Sequence, residues 1–534
     1  MSLKRPFRRQ TAWRSRAHRA WYRFCAVCLS LYIGYVTYLS QSAFLEGRVE
    51  TVACGLAFLL FSGGVWAVLT QCCEGWLVNA APKPCEQRDR LNARVFWIAL
   101  GICLAVFGCA FAACWPGGVS YDASNQWQQA HSGEFNNWHP LFHTLLIWLA
   151  TRVRDSYPFA VLVQIIAFSV AMAYLTATLN KRGVPAWLAL GAHALVAASL
   201  SVRNTLMYLG KDSAMTIGVM ALTAQAVNIL YTRGGWLRRP FNAAAFGAAL
   251  AFTTLVRHNA FLWTVPLLMC VFFAFGGARR FSALAACVAA AALALVQGPL
   301  YGMLDVVYPS NLVEESVGVP MTILADVKQR APEALDEETN AFLGSLATDE
   351  AWRNTYAPHN YNSIKFTYDR EKIAFTPLPK LLGMTARATA RAPRVAFEAV
   401  NGLTGLVWDI TGENRGWERV RNSGDLEEAR YGRATLNTIG GKLCAIIDAA
   451  MGWLPIRWLT QNIGAQLLML LMVALWALYR HGVPALTLAL PVLAYNLGTM
   501  ALLCGNDARF FQCAMTVCIP CMLALLYLPI TKEA

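Results

Sequence analysis

Five short polar segments carry the residues that could do chemistry. Residues 115–139 hold Asp122, Gln126, Glu134 and His139, and the others bring Arg203, Lys211 with Asp212, Arg257 with His258, and Asp507 with Arg509. One carboxylate among several fixed cations suits displacement at a sugar-phosphate bond. The departing phosphate is already stable as an anion and needs little acid. A base takes the proton of the acceptor hydroxyl while Arg and Lys hold the phosphate, and in-line attack inverts the anomeric centre. Hydrolysis of a glycosidic bond would instead need two carboxyls flanking it.

Asp122 is the first candidate for the base, because it lies in a Gly- and Asn-containing loop just after an apolar stretch. Its type and place equally suit an Asx-turn or a helix cap. Glu134 is the second candidate, with a solvated loop position as its plain alternative, and Gln126 supports the same loop. His139, before Pro140, suits orientation of an acceptor, metal binding or entry into a helix. Asp122, Glu134 and His139 together offer donors for a divalent cation, but no tight spacing such as HExxH is present, so no cofactor is demanded. Arg203, Lys211, Arg257, His258 and Arg509 are the candidate phosphate ligands, though each alone also fits an interfacial side chain reaching for water. Arg257 stands out because it sits in a tight turn between two apolar stretches. Asp212 suits pairing with Lys211 or a helix cap, and Asp507 suits orientation of Arg509 or plain structure. Trp115, Trp127 and Trp138 fit an interfacial belt first and a sugar-stacking platform second.

The elements that position these residues are membrane helices. Of the 534 residues, 57% are hydrophobic and 14% charged, with a mean hydropathy of +0.41, whereas soluble domains carry about 25% charged residues. An ordinary cytosolic enzyme, a disordered chain and a small disulfide scaffold are all excluded. Apolar stretches of spanning length recur at 24–42, 50–71, 95–114, 158–178, 185–201, 212–232, 241–257, 260–277, 281–302, 460–479, 483–503 and 510–529, which predicts an all-α polytopic protein with about twelve transmembrane helices. The stretch 140–153 is apolar but too short to cross and reads as a helix lying at the membrane surface.

Residues 1–23 contain eight Lys and Arg and no Asp or Glu, as expected of a cytoplasmic anchor flank; the apolar stretch behind it is longer than the core of a cleaved leader. With the N-terminus inside, the cytoplasmic pieces carry 21 Lys and Arg against 4 Asp and Glu, and the outer pieces 24 against 27. The cytoplasmic face then carries +17 and the outer face −3 of the net +14, so positive-inside sorting accounts for the basic excess without a nucleic-acid partner. All five polar segments fall on the outer side, and ionisable residues gathered at span ends mark a site more strongly than any one of them alone. The expected organisation is a basic N-terminus with two extra helices (1–94), a transmembrane core (95–302) with its catalytic first outer loop (115–157), an extracytoplasmic, mostly helical cap (303–459) and three C-terminal helices (460–534). Sixteen cysteines lie mainly in apolar stretches. The CxxC pairs Cys25/Cys28 and Cys518/Cys521 lack a second ligand pair and read as core.

The run PGGVSYDASNQWQQAHSGEFNNWHPLFHTLL, followed by KDSAMT, RHNAFLW, EESVGVPM, RAPRVAFEAVNGLTGLVWDITG and NDARFFQCAMTVCIP, resembles a family of bacterial multi-pass proteins that looks like part of the GT-C glycosyltransferase superfamily. The likeness covers about residues 115–529. More distantly, the Asp-loop followed by HPLFHTLL looks like the first outer loop of protein O-mannosyltransferases and aminoarabinose transferases. That resemblance implies a polyprenyl-phosphate sugar donor, an outward-facing site in the bacterial cytoplasmic membrane, inverting chemistry, and Asp122 in the place of the acidic catalytic residue. The match departs at two points. Those relatives pair two acidic residues side by side, whereas Asp122 stands between Tyr121 and Ala123, and Pro140 is followed by Leu141 instead of a second Pro.

Three functions follow as expectations. The first is an inverting transferase that moves a sugar from a polyprenyl phosphate to an extracytoplasmic glycan, lipid or protein. The second is a transporter or lipid flippase, which predicts polar residues at the midplane and two related halves; neither is visible in the sequence. The third is a glycan ligase or polymerase that depends on Arg and His without an essential carboxylate.

Overall fold

The computed structural model describes residues 90–309, 315–410, 439–505 and 507–529, with isolated positions before them. The basic N-terminus, the expected spans 24–42 and 50–71 and the Cys25/Cys28 pair lie outside the described residues. Within them the chain is helical, with two isolated bridges and no strand.

Ten helices run in order through the core: α1 (Ala93–Ala113), α2 (Tyr121–Ser132), α3 (Leu141–Val153), α4 (Tyr157–Lys181), α5 (Ala186–Ala198), α6 (Leu200–Met207), α7 (Lys211–Tyr231), α8 (Pro240–Leu255), α9 (Phe261–Ala274) and α10 (Arg279–Leu295). The segment that follows contributes α11 (Gly318–Arg330), three short helices, α12 (Arg370–Phe375), α13 (Leu378–Arg391), α14 (Pro393–Trp408), α15 (Ile439–Met451) and α16 (Leu454–Gln461). The chain closes with α17 (Ile463–His481), α18 (Leu486–Ala501) and α19 (Gln512–Leu526).

Among the described residues six helices are long and apolar enough to cross a membrane, or up to eight if each of two bent pairs counts as one span. Twelve spans are thus not confirmed, and two of the expected ones fall outside the described residues. Within the described residues the difference has a geometric cause. Helices α8 and α9 have 16 and 14 residues, or about 24 and 21 Å at 1.5 Å per residue, against a hydrocarbon core of about 30 Å. The expected span 185–201 is a bent pair, α5 and α6, meeting at 57°. By the same arithmetic the 13-residue α3 reaches only about 20 Å, short of the hydrocarbon core.

Burial sorts the helices. Helix α7 is hidden along most of its length and packs on α4, α8 and α19, so it forms the centre of the core. Helix α10 is mostly exposed and packs chiefly on α8. The described residues between 303 and 459 contribute to two apolar cores. A separate apolar core, including Met321, Leu324, Leu343, Trp352, Tyr361, Leu381, Met384 and Ala399, draws its side chains from 317–399 and from Cys504. Leu403, Leu406 and Val407 at the end of α14 instead join the core of the membrane helices. Helix α15 packs on α1, with Gly440 so near the Cys109 carbonyl that a Cβ there would stand 2.7 Å from it. The separate core thus takes its last side chain from this stretch at Ala399, and 439–461 is a sharply bent apolar pair, its first helix laid against α1.

The cysteines behave as small hydrophobes. All those described are free, and Cys518 and Cys521 are buried within α19.

Candidate active site

A glycine turn and a backbone bridge place the first carboxylate. After α1 the chain turns through Gly117, whose φ of 113° is open to glycine. A Cβ there would also press to 3.0 Å on Val161 and 3.2 Å on the Met207 carbonyl. This close approach lets Gly118 N–H donate to the Met207 carbonyl at 2.9 Å, while the Tyr157 hydroxyl donates to the Gly118 carbonyl at 2.6 Å. Gln164 fastens the other side: its amide donates to the Leu206 and Tyr208 carbonyls and its carbonyl accepts from Gly210 N–H. The segment entering Lys211 is thus tied to the segment entering Asp122.

Ser120 caps α2 by accepting from Ala123 N–H at 3.1 Å. The cap position considered for Asp122 is therefore filled by its neighbour, and Asp122 lies in the first turn with its carboxylate turned to other partners. Lys211 Nζ stands 2.6 Å from Asp122 Oδ2, and Arg509 Nη1 stands 3.3 Å from the same oxygen. His139 Nε2 lies 3.8 Å from Oδ1, and His139 Nδ1 lies 3.2 Å from Lys211 Nζ. Three residues from three stretches of chain meet at one carboxylate, which keeps 24% of its side-chain surface open.

Burial alone would raise the Asp122 carboxyl. The charges of Lys211 and Arg509 outweigh it and hold the group well below the usual carboxylate range. His139 is pushed down to about 3, by burial first and by the Lys211 charge second, and is neutral at physiological pH. His143 is pushed down to about 3 by the same two causes.

Behind this cluster lies a second, closed pair. Arg257 and Asp212 form an ion pair with 8% and 7% of their side chains exposed. Asp212 therefore pairs with Arg257, where pairing with Lys211 or a capping role was expected. Arg257 Nε donates to Asn259 Oδ1 at 2.7 Å, and Asn259 donates to the Thr499 hydroxyl at 3.1 Å. The guanidinium groups of Arg257 and Arg509 both stand 5.2 Å from the Phe510 ring centroid, which joins the two clusters. Asp507 accepts from Arg509 N–H at 3.0 Å and receives Arg509 Nε at 2.7 Å, an arrangement that orients Arg509.

The remaining candidates fall in different places. Gln126 is buried; it donates to the Thr144 hydroxyl at 3.0 Å and its carbonyl meets His143 Nδ1 at 3.0 Å, which locks α2 to α3. His258 is hydrogen-bonded to the main chain at Asn137 and Trp138, beside His139. Glu134 stands exposed beyond the Gly133 cap and is not among the side chains on Asp122. Arg203 is directed elsewhere: it forms an ion pair with Asp448 on α15, and its Nε donates to the Ala198 carbonyl. Of the tryptophans, Trp127 is buried against Tyr157 and is no belt residue, Trp115 is exposed, and Trp138 lies under the Arg370 guanidinium at 5.2 Å. His143, Asn259 and Phe510 were not singled out from sequence, although His143 and Asn259 are polar residues within the apolar runs HPLFH and RHNAFLW.

The arrangement does not fit a divalent cation. Among the described residues no three His, Cys, Asp or Glu side chains converge to hold one, and the Asp122 oxygen that a metal would take already faces an ammonium and a guanidinium. The cluster can bind an anion through Lys211 and Arg509 and can accept a proton at Asp122.

No family model matches the chain, and no curated protein does. Among solved structures it is similar to the archaeal oligosaccharyltransferase AglB from Archaeoglobus fulgidus, in complex with an inhibitory peptide and a dolichol-phosphate. That likeness has 13% identity and a TM-score of 0.39, over 80% of this chain and 50% of that one. The chain is also similar to the arabinosyltransferase EmbB from Mycobacterium smegmatis, at 15% identity and a TM-score of 0.32, over 88% of this chain and 45% of that one. The chain spans about half the length of each.

Proposed function

We propose that the protein is an inverting membrane glycosyltransferase that moves a sugar from a polyprenyl phosphate to an acceptor hydroxyl on the extracytoplasmic side. The observation that carries this reading is the Asp122 carboxylate, partly open to solvent and shared by Lys211 and Arg509 at the ends of three helices. A base and an anion clamp within a few ångströms match a reaction whose leaving group is a phosphate and whose nucleophile is an alcohol. The apolar helices around the cluster suit a donor whose phosphate is anchored by a long hydrocarbon chain. His139, neutral and facing Asp122, serves the acceptor hydroxyl, and Asp507 holds Arg509 in position. Arg257 acts from behind, keeping Asp212 neutralised beside Lys211. Arg203 has no part in the clamp.

Purified protein in lipid nanodiscs, given polyprenyl-phosphate sugars and a panel of glycan and glycolipid acceptors, should form a transfer product with inverted anomeric configuration. Asp122→Asn should lower its formation by about 10²- to 10⁴-fold. Full transfer by that variant would remove Asp122 from the mechanism, and retained anomeric configuration would remove direct displacement.

A further inference from the structure

The cations best placed to hold the donor phosphate are the cations that neutralise the base. Lys211 spends its ammonium on Asp122 Oδ2 and on His139 Nδ1, at 2.6 and 3.2 Å. Arg509 divides its guanidinium between Asp507 and the same Asp122 oxygen. Arg257 is closed off by Asp212 in the buried pair. Three cations thus face three carboxylates, and an incoming anion has to compete for partners. The three carboxylates are not equal competitors. Asp212 is enclosed with Arg257, and Asp507 is fixed by accepting the Arg509 main-chain N–H. Asp122 has no comparable anchor: Ser120 takes the capping bond, and the Asp122 carboxylate is held by the two cations and by a histidine at 3.8 Å.

Resting on the glycosyltransferase reading above, we infer that donor and base compete for Lys211 and Arg509, so that binding of the donor phosphate releases Asp122 and turns it into a proton acceptor. A carboxylate paired with two cations is a weak base, and loss of those partners strengthens it. The reaction then carries one negative charge across the site. The acceptor hydroxyl gives its proton to Asp122, and its oxygen forms the bond to the anomeric carbon. The electron pair of the breaking bond between that carbon and the phosphate oxygen leaves with the polyprenyl phosphate. The phosphate gains the charge that Asp122 loses, and Lys211 and Arg509 follow it. Transfer is therefore ordered, with the donor bound before the acceptor is activated.

The test is a binding measurement on the full chain in phosphatidylcholine nanodiscs, with a polyprenyl methyl phosphodiester as the probe, which carries one charge and no transferable sugar. Removal of the competing carboxylate in Asp122→Asn should tighten binding about three- to tenfold, the scale of a partly exposed charge pair. Equal or weaker binding by Asp122→Asn would overturn the inference while leaving the transferase reading standing. Absence of binding by wild type and variant alike would sink the transferase reading and the inference with it. A structure of wild-type protein with the phosphodiester bound gives a reading independent of the variant's folding. Lys211 Nζ should lie beyond about 4 Å from both Asp122 oxygens, outside ion-pair reach, and an unchanged 2.6 Å contact would overturn the competition.

Discussion

Two carboxylates in this molecule gather cations and histidine, and they do so in different ways. Asp326, in the cap, is 1% exposed and draws its partners from nearby chain. The Tyr356 hydroxyl donates to it at 3.1 Å, His359 Nδ1 lies at 2.7 Å and Arg330 at 3.9 Å, while Glu398 ties Arg330 from the far side. Asp122 draws its partners from positions up to 387 residues away and keeps a quarter of its surface open. The first is a knot, saturated and enclosed, which fixes the Tyr356 loop against α11. The second is shared, reachable and dependent on groups that an anion also attracts. Charge clustering alone does not separate the two; openness and shared partners do.

The sharpest way to break this contrast is to neutralise both acids. Asp122→Asn should lower transfer by about 10²- to 10⁴-fold, the range for loss of a general base, with an unfolding temperature near that of wild type. Loss of a cation comes next: Lys211→Met should cost about 10- to 100-fold in kcat/KM for the donor, on the scale of a lost charge-assisted phosphate contact. Arg203→Met, which breaks the pair with Asp448, should leave that ratio within about twofold per folded molecule, as a contact outside the site does. Equal losses in the two variants would return Arg203 to the clamp. Asp326→Asn should cost about 1–3 kcal/mol of stability by weakening buried hydrogen bonds and leave turnover of the folded fraction intact. Loss of turnover without loss of stability would make the cap cluster functional.

The smallest effect is on pH. His139 and His143, both pushed down to about 3 in the folded protein, take up protons near 6.5 when unfolded. The unfolded chain binds protons first, so stability is full above pH 6.5 and falls as pH drops toward 3. Asp122, held low, adds to the loss in the same direction below about pH 4. Thermal unfolding in detergent at pH 8, 6 and 5 should show the decline, and His143→Gln should flatten it. Parallel curves for variant and wild type would exclude His143 as a source.

The comparison also shows what the sequence makes legible. Asp122, His139, Lys211 and Arg509 are visible because ionisable groups at the ends of apolar runs are costly and few, and the structure brings these four together. The partners of Arg203 and Arg257 are not visible. Asp448 is 245 positions from Arg203, and Asp212 stands next to Lys211, so adjacency suggested the wrong mate. Span counting also reaches a limit: hydropathy locates helices α8 and α9, yet their length on folding, and the kink between α5 and α6, depend on packing that no local window contains. Glu134 illustrates the converse. Its loop is the right loop, but Gly133 ends the helix and leaves it outside.

The bridge between Gly118 and Tyr208 has a mechanical consequence. Because the stretches of chain leading to Asp122 and to Lys211 are joined by a main-chain bond from Gly118 N–H to the Met207 carbonyl, thickening or thinning of the bilayer should move the two together. Arg509 arrives on a different helix, held to α7 by side-chain bonds from Ser213 and Thr216 to Gln512, so any sensitivity of the cluster to lipid length should enter through the guanidinium.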